Sequence, residues 1–396
     1  MKELARIASA VQVSSTMAMD ALAKQMKAEG VDVVGFGAGE PDFNTPDHIK
    51  AAADRAIAEN VTRYTPASGT AALKQAVCQR MNEDCGLDYK PSQVVVTSGA
   101  KHCVYIALRA LVDPGDEVIL PAPFWVSYLE LIKMMGGVPV VVTAEESAGF
   151  KVTAGQLAAA ITPKTKALIL NNPGNPTGMV YSKEELEAIV RVCVEKDIYI
   201  ISDEIYCNLL YDGVKFASVA SFGEDAKERA ILINGVSKSY AMTGWRIGYL
   251  LSSERIAKVM ANYLSHSTGS PSSVSQAASV AALTGPQDCV EEMRQAFEAR
   301  RNYIVERVNA MEGVSCIKPE GAFYIMMNVE KQLGRTICGE KIGSSDDFSA
   351  ALLKHSLVAT VPCTSSGAPN FVRWSYATSM DNIKKGMDRL EEFLKG

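Results

Sequence analysis

The sequence predicts an α/β fold built on a parallel sheet that helices cover on both faces. Between about residues 90 and 252, short unbroken apolar runs alternate with stretches of helical spacing. Unbroken apolar runs are typical of parallel strands, because both faces of such a sheet are buried. The predicted strands are 94–97 (VVVT), 118–120 (VIL), 138–143 (VPVVVT), 167–170 (ALIL), 198–202 (IYIIS), 231–234 (ILIN) and 247–251 (IGYLL).

Helices are predicted from apolar spacing and from the residues that begin or end them. Gly30 ends the first pattern, since glycine accepts the left-handed conformation at a helix C-terminus. Ser182 followed by Glu185 forms a capping box at the start of another helix. The predicted helices of this part are 17–29, 47–60, 100–112 and 182–196.

After about residue 285 the sequence pattern changes to a long charged helix, short strands and a last helix, which predicts a smaller α+β domain. We expect an arm at 1–15, a small domain made of 16–46 and 286–396, and a large domain at 47–285. The elements predicted after residue 285 are a charged helix (290–311), three short strands (323–329, 357–362 and 371–376) and a last helix (381–395).

Composition restricts the class of function. The 396 residues include 40 Lys and Arg against 45 Asp and Glu, a net charge of −5, with 47% hydrophobic residues. This is globular composition, and its acidic balance argues against nucleic acid or an anionic membrane as the main partner. No apolar run reaches about 18 residues, so we expect no membrane span, and the N-terminus does not read as a signal peptide.

Cysteine and histidine usage points to a reduced, metal-free chain. The nine cysteines are odd in number and have no C-x-x-C spacing, and the four histidines are scattered. We therefore expect reduced thiols, a cytoplasmic location and no metal site.

Polar and aromatic residues follow five of the predicted strands. In parallel sheets, ligands bind beyond the carboxyl ends of the strands, so these residues should share one rim. The segments that lie there are 98–101, 121–125, 171–178, 203–206 and 235–246.

Lys238 is the first candidate for chemistry at this rim. It lies among small residues after a strand, and Arg246 follows eight residues later. A lysine amine partly desolvated near another cation becomes nucleophilic and suits a Schiff base to a phosphorylated aldehyde. The alternative is a surface lysine on a loop.

The neighbouring strand ends favour the first interpretation. Asp203 ends a buried strand, where a carboxylate needs a cationic or donor partner, and a pyridinium nitrogen supplies one. Tyr206 and Asn175 offer hydrogen bonds to a ring oxygen, and Trp125 offers a stacking surface. Each residue alone reads as packing or a turn, but together they predict pyridoxal phosphate.

Two further segments offer anion binding. Gly99-Ala100-Lys101 opens a helix directly after a strand, where backbone N–H groups and the helix dipole attract a phosphate. Arg373 alternates with apolar residues on a predicted strand, from which an inward-facing guanidinium grips a carboxylate. Its alternative is a solvated strand face.

Together these residues resemble the class I aminotransferases of pyridoxal-phosphate fold type I, most closely their bacterial aspartate branch. The cofactor-lysine signature of that family matches GVSK (235–238) followed by AMTGWRIG (241–248). The resemblance spans nearly the whole chain through AGEPDF (38–43), RYTPASG (63–69), NPTG (175–178), SDEIY (202–206), PEGAFY (319–324) and VRWSYATS (372–379).

The resemblance implies a large domain with a mostly parallel seven-stranded sheet sandwiched by helices, plus a smaller α+β domain. It implies that Lys238 carries the cofactor and moves the substrate proton, that Asp203 holds the ring nitrogen, and that Trp125 stacks on the ring. Tyr206 and Asn175 would bind the ring oxygen. The residues implied around the phosphate are Gly99, Ala100, Lys101, Ser237 and Arg246, with Tyr64 reaching across from the other subunit of a homodimer.

The resemblance also implies the substrates. Arg373 and the Gly39 backbone would bind the α-carboxylate, close to Trp125 and Asn175. The stretch 265–271 lacks the second arginine that many aspartate aminotransferases use for the distal carboxylate. The other branch uses a lysine, here Lys101, with hydroxyls that match Ser15 and Thr16, and with Ser270 from the other chain. We therefore expect aspartate and glutamate with their 2-oxo acids, and prephenate as a further substrate.

Several alternatives stay open at this point. Residues 98–101 also spell the S-x-x-K pattern of some serine hydrolases, although a K-T-G partner is absent. A pyridoxal-phosphate lyase, or an aminotransferase of other amino acids, would use the same cofactor residues, because those residues do not decide the fate of the carbanion. A non-catalytic relative would show no half-reaction.

Overall fold

A computed structural model describes residues 2–13 and 15–396, without the side chains of 15–17 and 20. Its α-helices are α1 (Arg6–Ser9), α2 (Ser15–Ala28), α3 (Asp47–Ala58), α4 (Ala71–Cys85), α5 (Ala100–Leu111), α6 (Ser127–Met134), α7 (Ala154–Ala160), α8 (Lys183–Glu195), α9 (Glu224–Arg229), α10 (Glu254–His266), α11 (Ser273–Thr284), α12 (Asp288–Asn309), α13 (Ser345–Ser356) and α14 (Met380–Leu394). Its strands are β1 (Val34–Gly35), β2 (Val94–Thr97), β3 (Glu117–Ala122), β4 (Val138–Thr143), β5 (Thr165–Asn171), β6 (Tyr199–Asp203), β7 (Ala230–Gly235), β8 (Gly248–Leu251), β9 (Tyr324–Asn328), β10 (Thr336–Ile337), β11 (Glu340–Lys341), β12 (Val358–Ala359), β13 (Val361–Pro362) and β14 (Phe371–Ser375).

The large sheet has seven strands in the order β2-β8-β7-β6-β5-β3-β4 within the described residues. All seven strands predicted between residues 90 and 252 are present, which confirms the α/β class. The sheet is mostly parallel, as the family resemblance implied, and the exception is β8, which pairs antiparallel with both β2 and β7. The reason lies in the connection from β7 to β8, which contains only the short turn Thr243–Trp245 and no helix long enough to cross the sheet.

Both faces of this sheet are buried, as the unbroken apolar strands predicted. Neighbouring residues on one strand point into opposite cores: Ile200 lies in one hydrophobic cluster and Ile201 in the other. In the same way, Leu232 and Ile231 divide between the two clusters. This two-sided burial leaves the ends of the strands as the place where polar residues collect.

A smaller antiparallel sheet, in the order β13-β14-β9, lies beside the large one. The single strand predicted for 357–362 is wrong, because the chain divides it at Thr360. β12 before this residue pairs with β1, and β13 after it pairs with β14. The hydrophobic periodicity did not reveal the division, since both halves are buried.

The N-terminal segment packs with this smaller sheet. Phe36 is fully buried, and its ring centre lies 4.8 Å from that of Trp374 on β14. Phe36 also lies against Gly386 of α14, where an added Cβ would overlap the Phe36 ring. This packing fixes the backbone that continues into residues 37–39.

The described residues contain no helix long and apolar enough to cross a membrane. Within that part of the chain, no group of His, Cys, Asp and Glu has an arrangement that holds a metal ion. All nine cysteines are described, and each is free.

Gly386→Ala is expected to destabilise the protein. The new methyl group collides with the buried Phe36 ring, and overpacking of this kind costs about 1–3 kcal/mol, more than the gain in helix propensity. Urea denaturation measures the free energy of unfolding. Gly155→Ala in α7 is the matched control, because a Cβ there meets only Thr153 Oγ1 at 3.9 Å and should leave stability equal or higher. Equal stability of the Gly386→Ala variant and the native chain would contradict the packing argument.

Candidate active site

A cavity of about 380 Å³ lies at the carboxyl ends of the large sheet, beside the smaller sheet. Most of the residues predicted for the site line this cavity. They are Gly39, Ala100, Lys101, Trp125, Asn175, Asp203, Tyr206, Ser237, Lys238, Arg246 and Arg373.

Lys238 follows β7 and is partly buried in the cavity wall. Its Nζ donates a hydrogen bond of 2.5 Å to the carbonyl oxygen of Gly39. Burial of the amine, together with the positive charges of Arg246 and Arg373, lowers the pKa of Lys238 to about 8, although the negative charges of Glu40 and Asp203 oppose the shift. A lysine in this state is closer to the free amine than a surface lysine is, which suits a nucleophile and a carrier of protons.

Asp203 ends the central strand β6 and is almost completely buried. Its Oδ2 accepts a 2.7 Å hydrogen bond from the Tyr128 hydroxyl, and its Oδ1 accepts one of 3.2 Å from the Ile205 N–H. Burial nevertheless raises the pKa of Asp203 to about 6. A buried carboxylate in this state gains from a cation, so Asp203 fits the protonated ring nitrogen of pyridoxal phosphate.

The start of α5 and Arg246 form a cradle suited to a phosphate. Gly99 has a φ of +94°, and a Cβ at this position would overlap the Arg246 guanidinium. Arg246 Nη1 donates to the Thr243 carbonyl at 2.8 Å, and Nη2 donates to the Ser98 carbonyl at 3.3 Å. The guanidinium is thereby fixed at the positive end of a helix, where phosphate groups bind.

Arg373 faces inward from β14, which excludes the solvated strand face as an alternative. The side chain is only 4% exposed, and its Nη2 donates to the Gly37 carbonyl at 2.7 Å. Its Nη1 donates to Asn175 Oδ1 at 3.2 Å, while its Nε is buried with no hydrogen-bond partner. A buried guanidinium whose partners are neutral oxygens is stabilised when an anion binds to it. A carboxylate can do so through two parallel hydrogen bonds.

Three contacts of aromatic residues complete the wall of the cavity. The hydroxyl groups of Tyr206 and Tyr324 share a 2.9 Å hydrogen bond, and the Arg373 guanidinium lies 4.7 Å from the centre of the Tyr324 ring. Lys101 Nζ lies 5.0 Å from the centre of the Trp125 ring. Burial, followed by the charge of Arg246, lowers the pKa of Lys101.

The structure does not bring two predicted residues, Tyr64 and Ser270, to the cavity of this chain. Tyr64 is fully exposed, and Ser270, which is partly exposed, does not line the cavity either. The backbone of Ser15 and Thr16 lies in α2, but their side chains lie outside what the structure describes. The roles given to these four residues stay predictions.

Sequence reasoning missed several residues that line the cavity. Tyr128, which binds Asp203, is three residues after Trp125, and Tyr324 lies in the PEGAFY segment. Both positions were visible in the sequence, but their roles depend on partners that only the fold brings close. Glu40 and Thr243 were likewise missed, because the 2.8 Å hydrogen bond between their side chains joins two distant parts of the chain.

Glu204 lies next to Asp203 but away from the cavity lining, and it is also buried. The hydroxyl groups of Ser202 and Ser218 donate to its Oε1 at 2.9 and 2.8 Å. Burial raises the pKa of Glu204 to about 7, so its charged form is unfavourable in the folded protein.

Residues 31–390 match the family described as aminotransferase class I and II. The chain is 48% identical to the aspartate aminotransferase of Geobacillus stearothermophilus, over 99% of each chain. It is 43% identical to the aspartate/prephenate aminotransferase of Cereibacter sphaeroides, over 98% of this chain and 97% of that protein. Among solved structures, the aspartate aminotransferase of Thermus thermophilus with maleate superposes with a TM-score of 0.93, at 40% identity over 99% of this chain and all of that one.

Replacing Glu204 by Gln is expected to raise stability at neutral pH in the cofactor-free protein. Since the folded pKa lies above the unfolded value of about 4.5, Glu204 stabilises the fold at low pH, and this contribution is lost as the pH rises to about 7. The loss amounts to roughly 3 kcal/mol at about 1.4 kcal/mol per pKa unit. Urea denaturation between pH 4.5 and 8 should show a flatter pH dependence for Glu204→Gln. The exposed Glu228→Gln variant is the control, and parallel pH curves for all three proteins would refute the argument.

Proposed function

The chain belongs to the class I and II aminotransferases, which depend on pyridoxal phosphate, and we propose that it is an aspartate aminotransferase. The reaction is the reversible transfer of the amino group between L-aspartate and 2-oxoglutarate, which gives oxaloacetate and L-glutamate. The observation that carries the proposal is a single cavity that contains Lys238, the buried Arg373 and Lys101. Family membership removes the S-x-x-K hydrolase alternative.

The residues of the cavity fit the cofactor. Asp203, oriented by Tyr128, would hold the ring nitrogen in its protonated form, and Tyr206 with Asn175 would bind the ring oxygen. Trp125 would stack on the ring. The phosphate would lie in the cradle of Gly99, Ala100, Lys101, Ser237 and Arg246. The bound cofactor supplies an electron-withdrawing ring that stabilises negative charge at the substrate Cα.

The chain itself supplies binding and proton transfer. Lys238 would remove the proton from the substrate Cα and later deliver it to a different carbon atom. A pKa of about 8 suits a group that must both take up and release a proton near neutral pH. Arg373 and the backbone of Gly39 would hold the α-carboxylate beside this amine. Arg373 and Gly39 both belong to the proposed small domain (16–46 and 286–396). Binding of the α-carboxylate would therefore close this domain on the large domain (47–285).

Lys101 is the proposed partner of the distal carboxylate. It lines the same cavity as Arg373, and the related Thermus thermophilus structure was solved with maleate, a four-carbon dicarboxylate. Ser15 and Thr16 are proposed as further contacts, together with Ser270 from the neighbouring chain. Prephenate carries two carboxylates as well, and relatives named aspartate/prephenate aminotransferase support it as a second acceptor.

The proposed assembly is a cytoplasmic homodimer with shared sites. Tyr64 is fully exposed, and two further exposed apolar residues, Ile57 and Val61, lie close to it in the sequence. A second copy of the chain that covered this surface would bring Tyr64 to the phosphate of its partner. The free cysteines agree with a reducing compartment.

The first test adds L-aspartate alone to the cofactor-loaded protein. The absorbance of the bound cofactor should change, and one equivalent of oxaloacetate should appear per active site. Lys238→Ala should slow this half-reaction at least about 10³-fold, because it removes the group that moves the proton. Release of a product other than the 2-oxo acid would indicate a lyase, and an unchanged spectrum with both aspartate and glutamate would refute a dicarboxylate substrate.

Lys101→Met is expected to impair dicarboxylate substrates selectively. Loss of a charged hydrogen bond to the distal carboxylate should lower kcat/KM for L-aspartate by about 10- to 100-fold, and that for L-alanine far less. Steady-state kinetics at saturating cofactor separate this effect from weaker phosphate binding. Lys133→Met, at an exposed lysine of α6, is the matched control. Equal losses for aspartate and alanine would count against Lys101 as the specificity residue.

A further inference from the structure

Two loops meet at the amine of Lys238. We call residues 37–45 the carboxylate loop, because it includes Gly39, and residues 236–247 the lysine loop. Side chains join the two loops at several points. The hydrogen bonds are Lys238 Nζ to Gly39 O (2.5 Å), Thr243 Oγ1 to Glu40 Oε2 (2.8 Å), Thr45 Oγ1 to Ala241 O (2.8 Å) and Trp245 Nε1 to Thr45 Oγ1 (3.0 Å).

Two carboxylates of the carboxylate loop have different partners. Asp42 forms an ion pair of 2.6 Å with Arg300 of α12 and does not line the cavity that contains Lys238. Glu40 lines that cavity directly after Gly39, the residue whose carbonyl binds Lys238, and the Thr243 hydroxyl fixes its carboxylate. Glu40 forms no ion pair with any described residue, so its negative charge is not neutralised by an arginine as that of Asp42 is.

Lys238 faces charges of both signs. Arg246 and Arg373 disfavour its ammonium form, whereas Glu40 and Asp203 favour it, and Glu40 contributes more than Asp203. The positive Lys24 and Lys101 line the same cavity, and the nearby hydroxyls of Tyr206 and Tyr324 bind each other. Once the cofactor is bound, Asp203 is matched by the ring nitrogen, so Glu40 is the carboxylate of the cavity lining that remains for a free Lys238 amine.

We propose that Glu40 is a positioning residue for Lys238: its carboxylate, fixed by Thr243, holds the ammonium group on the carbonyl of Gly39 whenever the amine is free. This deepens the proposed function, on which it rests for the role of Lys238. A lysine that has taken a proton from the substrate must keep it until the proton is returned. Glu40 lowers the free energy of that charged state without touching the substrate.

The test measures the protonation of the Lys238 amine without substrate or cofactor. The full-length, cofactor-free chain is labelled with a trace of acetic anhydride between pH 6 and 11, and mass spectrometry of the peptide that contains Lys238 gives the rate. Only the unprotonated amine reacts, and the reagent is neutral, so a charge change does not alter its approach. In Glu40→Gln, the midpoint of the Lys238 profile should fall by roughly half a pH unit or more.

Three further variants separate the role of Glu40 from a general effect on the loop. Asp42→Asn removes a charge two residues away and should leave the midpoint unchanged. Glu40→Asp should restore most of the native value, and Thr243→Val should shift the midpoint in the direction of Glu40→Gln but by less. The proposal is overturned if the Glu40→Gln profile coincides with the native one, or if Asp42→Asn moves the midpoint equally. Since no substrate is present, these outcomes are independent of whether the protein accepts aspartate.

Discussion

The burial of one carboxylate organises the site. Asp203 lies at the end of the central strand of a sheet whose two faces are covered, so water does not solvate it, and its two hydrogen-bond donors leave its pKa near 6. A group in this state is a cost to the fold until a cation arrives. The need for a cationic partner is therefore built into the topology and not added by a flexible side chain, and the protonated ring nitrogen is the partner that we propose.

The remaining contacts follow from the way the strands end. β2, β6 and β7 run in the same direction, so the start of α5, Asp203 and Lys238 all reach one rim. β8 returns antiparallel, and the tight turn before it brings Arg246 back to Gly99. Because Gly99 has no side chain, the guanidinium lies directly against the helix start. The phosphate cradle thus depends on the single strand whose direction the hydrophobic pattern did not predict.

The sequence predicted those features that depend on local pattern. The strands at 94–97 and 138–143 match to the residue, and the capping box at Ser182 is present. Features that depend on distant partners were not predictable in this way. The division at Thr360 follows from pairing with two different strands, and Tyr128 gains its role only because its hydroxyl meets Asp203, 75 residues away. Family resemblance supplied the roles, but it did not supply these contacts.

The charge of the cavity differs from that of the whole chain. Although the chain carries a net charge of −5, only two of the described side chains that line the cavity are anionic, Glu40 and Asp203. Five are cationic, namely Lys24, Lys101, Lys238, Arg246 and Arg373. Cations held close together repel one another, which adds to the effect of burial on Lys101 and Lys238. Anionic ligands relieve this repulsion and therefore stabilise the folded chain when they bind. A phosphate near Arg246 and a carboxylate at Arg373 would use two of these five cations, and Lys101 is one of the three that remain, so a second carboxylate on the substrate balances more of the cavity's charge than a single one does.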